Sequence, residues 1–313
     1  MSLLAIQDLS IAYGGQPALE SVSLAVARGE IVGIVGESGS GKSTLAYAVP
    51  GLLPAAARVT SGRIALNGID LLGLDDSALA RIRGSAVAMV FQDPITSFSP
   101  LVPVGRQLRA FLWRERIEPR AARRRIIDML AEVGIADPER RIDSHPHELS
   151  GGMLQRIAIA AALLVRPSLI IADEPTTALD VTTEAQILHL LRDIRDRHGT
   201  AILVISHQLG VIAEICDRVA VMYGGVIVEE GPVAALFRRP AHPYTQALMA
   251  CEPALLGTDA RRLPTILGSV ARPGTGCHFA DRCAHAEPEC RDAQPPWHPA
   301  GDRHGFLCRK MAA

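Results

Sequence analysis

Gly36-Glu37-Ser38-Gly39-Ser40-Gly41-Lys42-Ser43 matches the pattern G-x-x-x-x-G-K-[ST]. The residues just before it, Glu30 to Val35, form a near-continuous apolar run that ends in glycine, as a buried parallel strand feeding a phosphate loop does. Thr44-Leu45-Ala46 then starts a helix. The glycines let the backbone curl so that successive N–H groups face one phosphate, and the new helix adds the positive end of its dipole. Lys42 can reach the β- and γ-phosphates, and the Ser43 hydroxyl can ligate Mg²⁺. A Gly/Ser-rich turn that merely contains a lysine lacks this strand–loop–helix context.

Outward from the loop, residues 3–9 and 22–26 alternate in polarity and predict short strands. Asn67-Gly68 after Ser61–Leu66 predicts a hairpin, and Tyr223-Gly-Gly225 between Val219–Met222 and Val226–Glu229 predicts another. Val104 to Leu164 reads as helical. Two buried strands follow, Leu169–Ala172 and Ala201–Ser206, around a helical Thr182–His198. Strands alternating with helices predict an α/β fold with a parallel sheet and an inserted helical region. The texture changes after about Gly231, where prolines, isolated arginines and cysteines accumulate, and a domain boundary is expected there. With no long internal repeat, a single nucleotide-binding domain is expected rather than a tandem pair.

Composition narrows the class. The 313 residues exceed one typical domain, and 48% hydrophobic with 21% charged residues fits a folded chain. Lys and Arg total 32 against 33 Asp and Glu, which gives no electrostatic case for nucleic acid. The longest apolar stretch, Ile157 to Val165, lies between Arg156 and Arg166 and is too short to span a bilayer. Met1 to Asp8 lacks the basic start and cleavage site of a signal peptide, so a cytoplasmic protein is expected.

Leu169-Ile-Ile-Ala-Asp173-Glu174 is an apolar strand ending in two carboxylates. Asp173 suits Mg²⁺, directly or through water, and Glu174 is placed to orient an attacking water. Roughly twenty residues upstream, Leu149-Ser-Gly-Gly-Met153 opens a helix rich in Ile and Ala. Read alone, Ser150 is a helix cap.

Taken together, these motifs resemble the ABC ATPase family over roughly residues 3–231. Leu149–Met153 matches its signature, with Met153 where glutamine is commonest; ATP contact there rests on Ser150 and Gly152, with Gly151 between them. The resemblance implies several roles. Tyr13 stacks on adenine, and Gln92, within Phe91-Gln-Asp-Pro94, senses the γ-phosphate and its Mg²⁺ and touches membrane subunits. Ala178-Leu179-Asp180 crosses a dimer seam, and His207 contacts the γ-phosphate. The nucleotide is held by Gly36, Glu37, Ser38, Gly39, Ser40, Gly41, Lys42, Ser43 and Thr44. Two cassettes would sandwich two ATP molecules, each between one chain's phosphate loop and the other's signature helix.

The expected fold is therefore an ABC-type P-loop ATPase domain over residues 1–231, with parallel core sheet, antiparallel β subdomain and a helical subdomain at about 93–165. A small Cys-rich extension occupies 232–313. Phe91-Gln-Asp-Pro-Ile-Thr-Ser97, Ala172–Val181 and His242-Pro-Tyr-Thr245 look like the dipeptide and oligopeptide importer branch. That branch implies a paralogous ATPase subunit in a heterodimer, two transmembrane permeases, an extracytoplasmic solute-binding protein, and a peripheral place on the cytoplasmic face of a bacterial membrane. Import of nickel, opines or another small solute is the alternative. So, from another class, is a non-transport ABC ATPase.

The tail reads Cys277-x5-Cys283-x6-Cys290-x17-Cys308. In a reducing cytosol such clustering points to a metal before disulfides. Four thiolates suit a 4Fe–4S cluster or tetrahedral zinc, and the lack of C-x2-C spacing favours iron–sulfur. His278, His285, His298 and His304 are possible substitute ligands, and four free thiols are the plain alternative.

Overall fold

The computed structural model describes residues 2–252, 265–270 and 275–309. Parts of the expected extension, 253–264, 271–274 and 310–313, lie outside the described residues. The chain divides into two compact units, 1–74 with 203–313, and 75–202.

The first unit opens with β1 (Ser2–Tyr13) and β2 (Gln16–Ala27), then β3 (Ile31–Val35), α1 (Lys42–Ala48), β4 (Ala57–Leu66) and β5 (Ile69–Asp70). One sheet has the order β2-β1-β4-β5, antiparallel throughout. This is the antiparallel layer expected from the alternating segments. Its last turn is the expected Asn67-Gly68, with φ of 51° and 82°, the two left-handed positions a tight hairpin turn needs. All five residues of β3 are buried, as a strand covered on both faces requires.

In the second unit, α2 (Asp76–Ile82) precedes β6 (Val87–Val90), and the helices α3 (Val104–Ala110), α4 (Pro119–Glu132), α5 (Pro138–Arg141) and α6 (Gly151–Leu164) follow. Ala122, Ile126, Ile127 and Leu130 make the buried stripe of α4, at helical spacing. Then come β7 (Leu169–Asp173), wholly buried and parallel to β6, and α7 (Val181–His198). Gly199 ends α7 at φ 63°, a left-handed cap that glycine takes without strain.

Strand β8 (Ala201–Ser206) carries the chain back into the first unit, where α8 (Leu209–Ile215), β9 (Arg218–Tyr223), β10 (Val226–Pro232), α9 (Val233–Arg238) and α10 (Pro243–Ala250) follow. β9 lies parallel to β3 and antiparallel to β10. The tail then adds two strands that the sequence reading did not foresee, β11 (Trp297–Gly301) and β12 (His304–Leu307). β12 pairs with Glu229 and Glu230 of β10, so the cysteine-rich segment is stitched into the first unit's own sheet.

Candidate functional site

Within the first unit, β3 delivers the chain straight into the glycine loop. A Cβ on Gly36 would sit 2.1 Å from the Met222 carbonyl oxygen, so only glycine lets the loop turn this close to the end of β9. Lys42 is buried, and its Nζ donates to the carbonyls of Gly36 at 2.8 Å and Glu37 at 2.9 Å. The ammonium is thus held along the inner edge of the loop, where it can turn to a phosphate. Gly41 precedes α1 and has no side chain to bond the first turn. The Tyr13 hydroxyl lies 3.4 Å from Thr44 Oγ1, which sets this ring at the far end of the same loop. Ser43 is exposed, and so is His207, directly after β8.

In the second unit, β7 ends at the buried Asp173, and Glu174 follows with φ 46°. A glutamate in left-handed backbone costs roughly 1–3 kcal/mol and persists only where its surroundings enforce it. Two donors fix its carboxylate: Gln92 Nε2 and Thr177 Oγ1, each 2.8 Å from Oε2. Gln92 and Glu174, 82 residues apart, are thus brought together. Thr177 was missed as a partner of Glu174: it lies within the quoted Ala172–Val181 stretch, but nothing local says which of Thr176 and Thr177 turns to the carboxylate.

The signature segment lies beside the start of α7. Ser150 caps α6 by accepting from the Met153 N–H at 3.3 Å. Asp180 caps α7, accepting from the Thr183 N–H at 3.0 Å and hydroxyl at 2.7 Å. The Thr183 hydroxyl bond, followed by the backbone bond, holds the Asp180 carboxyl below the usual carboxylate range, so it is ionised at neutral pH. A Cβ on Gly152 would meet Thr183 Cγ2 at 2.5 Å, so glycine is what brings the two helix starts side by side.

In the tail, Cys277, Cys283, Cys290 and Cys308 line one pocket with His242, Phe279 and His285. The Cys277 N–H donates to the Cys290 carbonyl at 2.7 Å, which ties two of these positions together. Burial pushes the Cys277 thiol up to about 11, and Cys308, Cys283 and Cys290 add to the rise. Among the described residues no three His, Cys, Asp or Glu side chains are drawn into metal-holding geometry.

Of the four histidines considered as substitute ligands, only His285 lines that pocket. His278 Nδ1 bonds the Gly224 carbonyl at 2.7 Å, and His304 Nε2 bonds Glu229 at 2.8 Å. His298 packs against Phe306 with ring centroids 5.9 Å apart. His242, which the sequence reading singled out only within His242-Pro-Tyr-Thr245, also borders the pocket. Its Nδ1 accepts the Tyr244 N–H at 3.0 Å, and burial pushes its pKa down to about 3.

With that geometry in hand, comparison with known proteins finds two matching family models. One, described as ABC transporter, covers residues 19–177. The other, described as the C-terminal region of oligopeptide/dipeptide transporters, covers residues 228–290. The dipeptide transport ATP-binding protein of Haemophilus influenzae is 44% identical over 97% of this chain and 94% of its own length. The oligopeptide transport ATP-binding protein of Bacillus subtilis is 43% identical over 96% of this chain and 87% of its own. Among solved structures, an ATP-binding cassette in a dimeric post-hydrolysis state with ADP and phosphate matches with a TM-score of 0.66. It is 29% identical, over 74% of this chain and 98% of that one.

Proposed function

Because this chain belongs to the ABC transporter family as an ATP-binding protein, we propose that it hydrolyses ATP to drive import of dipeptides or oligopeptides through partner permeases. The observation that carries the chemistry is Glu174, in left-handed backbone directly after β7, with its carboxylate held by Gln92 and Thr177. A carboxylate fixed by two donors is a positioned base. The peptide assignment rests on the relatives and on the match of the tail to the transporter C-terminal region. The start of that match, at residue 228, also favours the division into 1–231 and 232–313, and helices α3 to α6 support a helical part at about 93–165.

Each residue then has a task. Lys42 and backbone N–H groups within Ser38–Thr44 bind the phosphates, Gly36 and Glu37 shape the entry to the loop, and Tyr13 stacks on adenine. Ser43, Asp173 and Gln92 would hold Mg²⁺, which would neutralise phosphate charge. Glu174 takes up the proton of the attacking water, and His207 steadies the γ-phosphate. Ser150, Gly151, Gly152 and Asp180 serve the nucleotide on a partner cassette. Between the loop and Asp173 the longest helices, α4 and α6, have 14 residues each, far short of the coiled coil inserted in repair-type ATPases.

No helix among the described residues is long and apolar enough to cross a membrane, so transport requires membrane partners. Ile95, Leu101 and Trp113 are 63%, 85% and 71% exposed, apolar side chains that a permease loop at the cytoplasmic face could cover. A paralogous ATPase subunit, two permeases and a solute-binding protein complete the proposed machine. Reconstituted in vesicles with those partners, the complex should take up a labelled dipeptide in proportion to ATP hydrolysis. Uptake of nickel with no peptide uptake would overturn the choice of solute.

The four tail cysteines are assigned to a structural metal group, a 4Fe–4S cluster or zinc. Support comes from their shared pocket, where burial and, to a smaller extent, the other three cysteines lift Cys277, a penalty on the thiolate that a bound cation would relieve. Without metal, the raised Cys277 pKa keeps its thiol protonated at neutral pH, and the thiolate forms only as pH rises toward about 11. Metal uptake near pH 7 should therefore release protons. Protein prepared without oxygen should contain about four iron atoms or one zinc per chain, and Cys277→Ser should lose them. Neither metal in the parent chain would leave four free thiols.

A further inference from the structure

The tail does more than continue the sheet: it grips the phosphate loop at Glu37. Arg282, whose side chain is only 5% exposed, directs Nη1 at both carboxylate oxygens of Glu37, at 3.1 and 3.0 Å. The rest of its guanidinium is committed as well. Nε donates to the Leu267 carbonyl at 2.8 Å, Nη2 to the Ile266 carbonyl at 3.0 Å, and Nη1 also to the Tyr223 hydroxyl at 3.2 Å. A planar guanidinium bonded on this many sides cannot swing away without leaving a buried charge unpaired.

Tyr244, from the His242-Pro-Tyr-Thr245 stretch, grips the same residue from another side. Its buried hydroxyl accepts the Glu37 N–H at 2.9 Å. The ring sits in an aromatic group with Tyr223 and Phe279, at centroid distances of 4.6 and 5.3 Å. His242 fixes the approach by capping α10, while its own N–H donates to Glu229 at 2.8 Å. The third polar group of Glu37, its carbonyl, accepts from Lys42 Nζ. Every polar group of Glu37 is therefore occupied, two of them by residues beyond position 231.

A second hold is indirect. The Gly224 carbonyl can only accept, so His278 Nδ1 carries the proton in their 2.7 Å bond. The next residue, Gly225, donates its N–H to the Ser40 carbonyl at 3.0 Å. Tail residues thus steady both Glu37 and Ser40, the two shoulders of the loop.

We propose that Arg282 and Tyr244 are positioning residues for the phosphate loop, acting through Glu37 so that the C-terminal segment sets how well the loop is shaped for nucleotide. This rests on the reading that the loop binds ATP. A loop held in its binding shape loses less entropy on binding, so removing the hold weakens affinity and leaves the chemistry of Glu174 alone.

The test uses the full-length chain, with MgATP affinity, KM and kcat measured for Arg282→Met, Arg282→Lys, Tyr244→Phe and Glu37→Gln. Arg282→Met should raise Kd and KM about tenfold, the size of one lost charge-assisted hydrogen bond. Tyr244→Phe, a smaller change that keeps the ring packed, should raise them about threefold. Arg282→Lys should recover part of the loss. In a Glu37→Gln background the Arg282→Met effect should shrink, since the two act as a unit. A role in folding alone would instead lower the amount of active protein and Tm, with KM unchanged, and that outcome would overturn the proposal. Should Arg282→Met not fold, Tyr244→Phe and Glu37→Gln, each as a single variant, decide it. A parent chain that fails to bind MgATP would overturn the functional reading itself. A parent that binds normally, with variants that bind equally well, would overturn this inference alone.

Discussion

Helix α1 and the pair α6 and α7 begin in opposite ways. α1 starts behind Gly41, which offers its first turn no side chain, whereas α6 and α7 start behind Ser150 and Asp180, whose oxygens accept from the first turn. The first N–H groups of a helix need partners, and a capping oxygen takes one that an incoming anion would otherwise use. A glycine start therefore suits direct wrapping of phosphate by backbone. A serine start suits a different use: Ser150 Oγ accepts from Met153 yet keeps its own hydroxyl hydrogen to give to a phosphate oxygen. The proposed division of labour follows from this difference, with the loop serving its own nucleotide and the signature serine that of a partner cassette.

The sharpest way to break this comparison lies at Glu174, which neither kind of helix start supplies. Glu174→Gln should keep MgATP binding and lower turnover by about 10²–10⁴-fold, the usual worth of a positioned general base. Thr177→Val removes one of the two bonds to that carboxylate and should cost about tenfold in kcat. Phosphate-release kinetics separate the two, and near-normal turnover in Glu174→Gln would remove it from the mechanism. A smaller effect is expected at Ser150. Ser150→Ala should cost about 1 kcal/mol of α6 stability through the lost cap, read by chemical denaturation. In the assembled complex it should also slow single turnover at the partner's phosphate loop. Loss confined to the site holding this chain's own Lys42 would refute the head-to-tail arrangement.

The elements nearest the chemistry were the most legible. β3 and β7 are short strands buried on both faces, so their apolar runs stand out, and each ends abruptly in glycine or in acid. β1 and β2 were read as shorter than they are. Asp8 and Ser21 take positive φ, 44° and 46°, at irregularities where the pairing register shifts and the alternation breaks. The hairpin β11–β12 was invisible, because Trp297-His-Pro-Ala-Gly301 has a proline inside it and no apolar alternation. The partners of the loop were hidden for another reason. Glu37 and Arg282 are 245 residues apart, and no local pattern can announce a pair that only the fold brings together. The cysteine spacing gave no sign that, interleaved with the four thiols of one pocket, Arg282 bonds Glu37 of the phosphate loop and His278 bonds Gly224.

The most direct test of the central claim is equilibrium binding of MgATP to the full-length chain and to Lys42→Ala, with phosphate release followed in the same samples. Lys42 is buried and spans the Gly36 and Glu37 carbonyls, so its removal takes the ammonium from the inner edge of the loop. The account predicts that the parent chain binds MgATP and releases phosphate, and that Lys42→Ala binds at least about tenfold more weakly through loss of charge-assisted bonds. Binding and phosphate release by Lys42→Ala equal to those of the parent would contradict it.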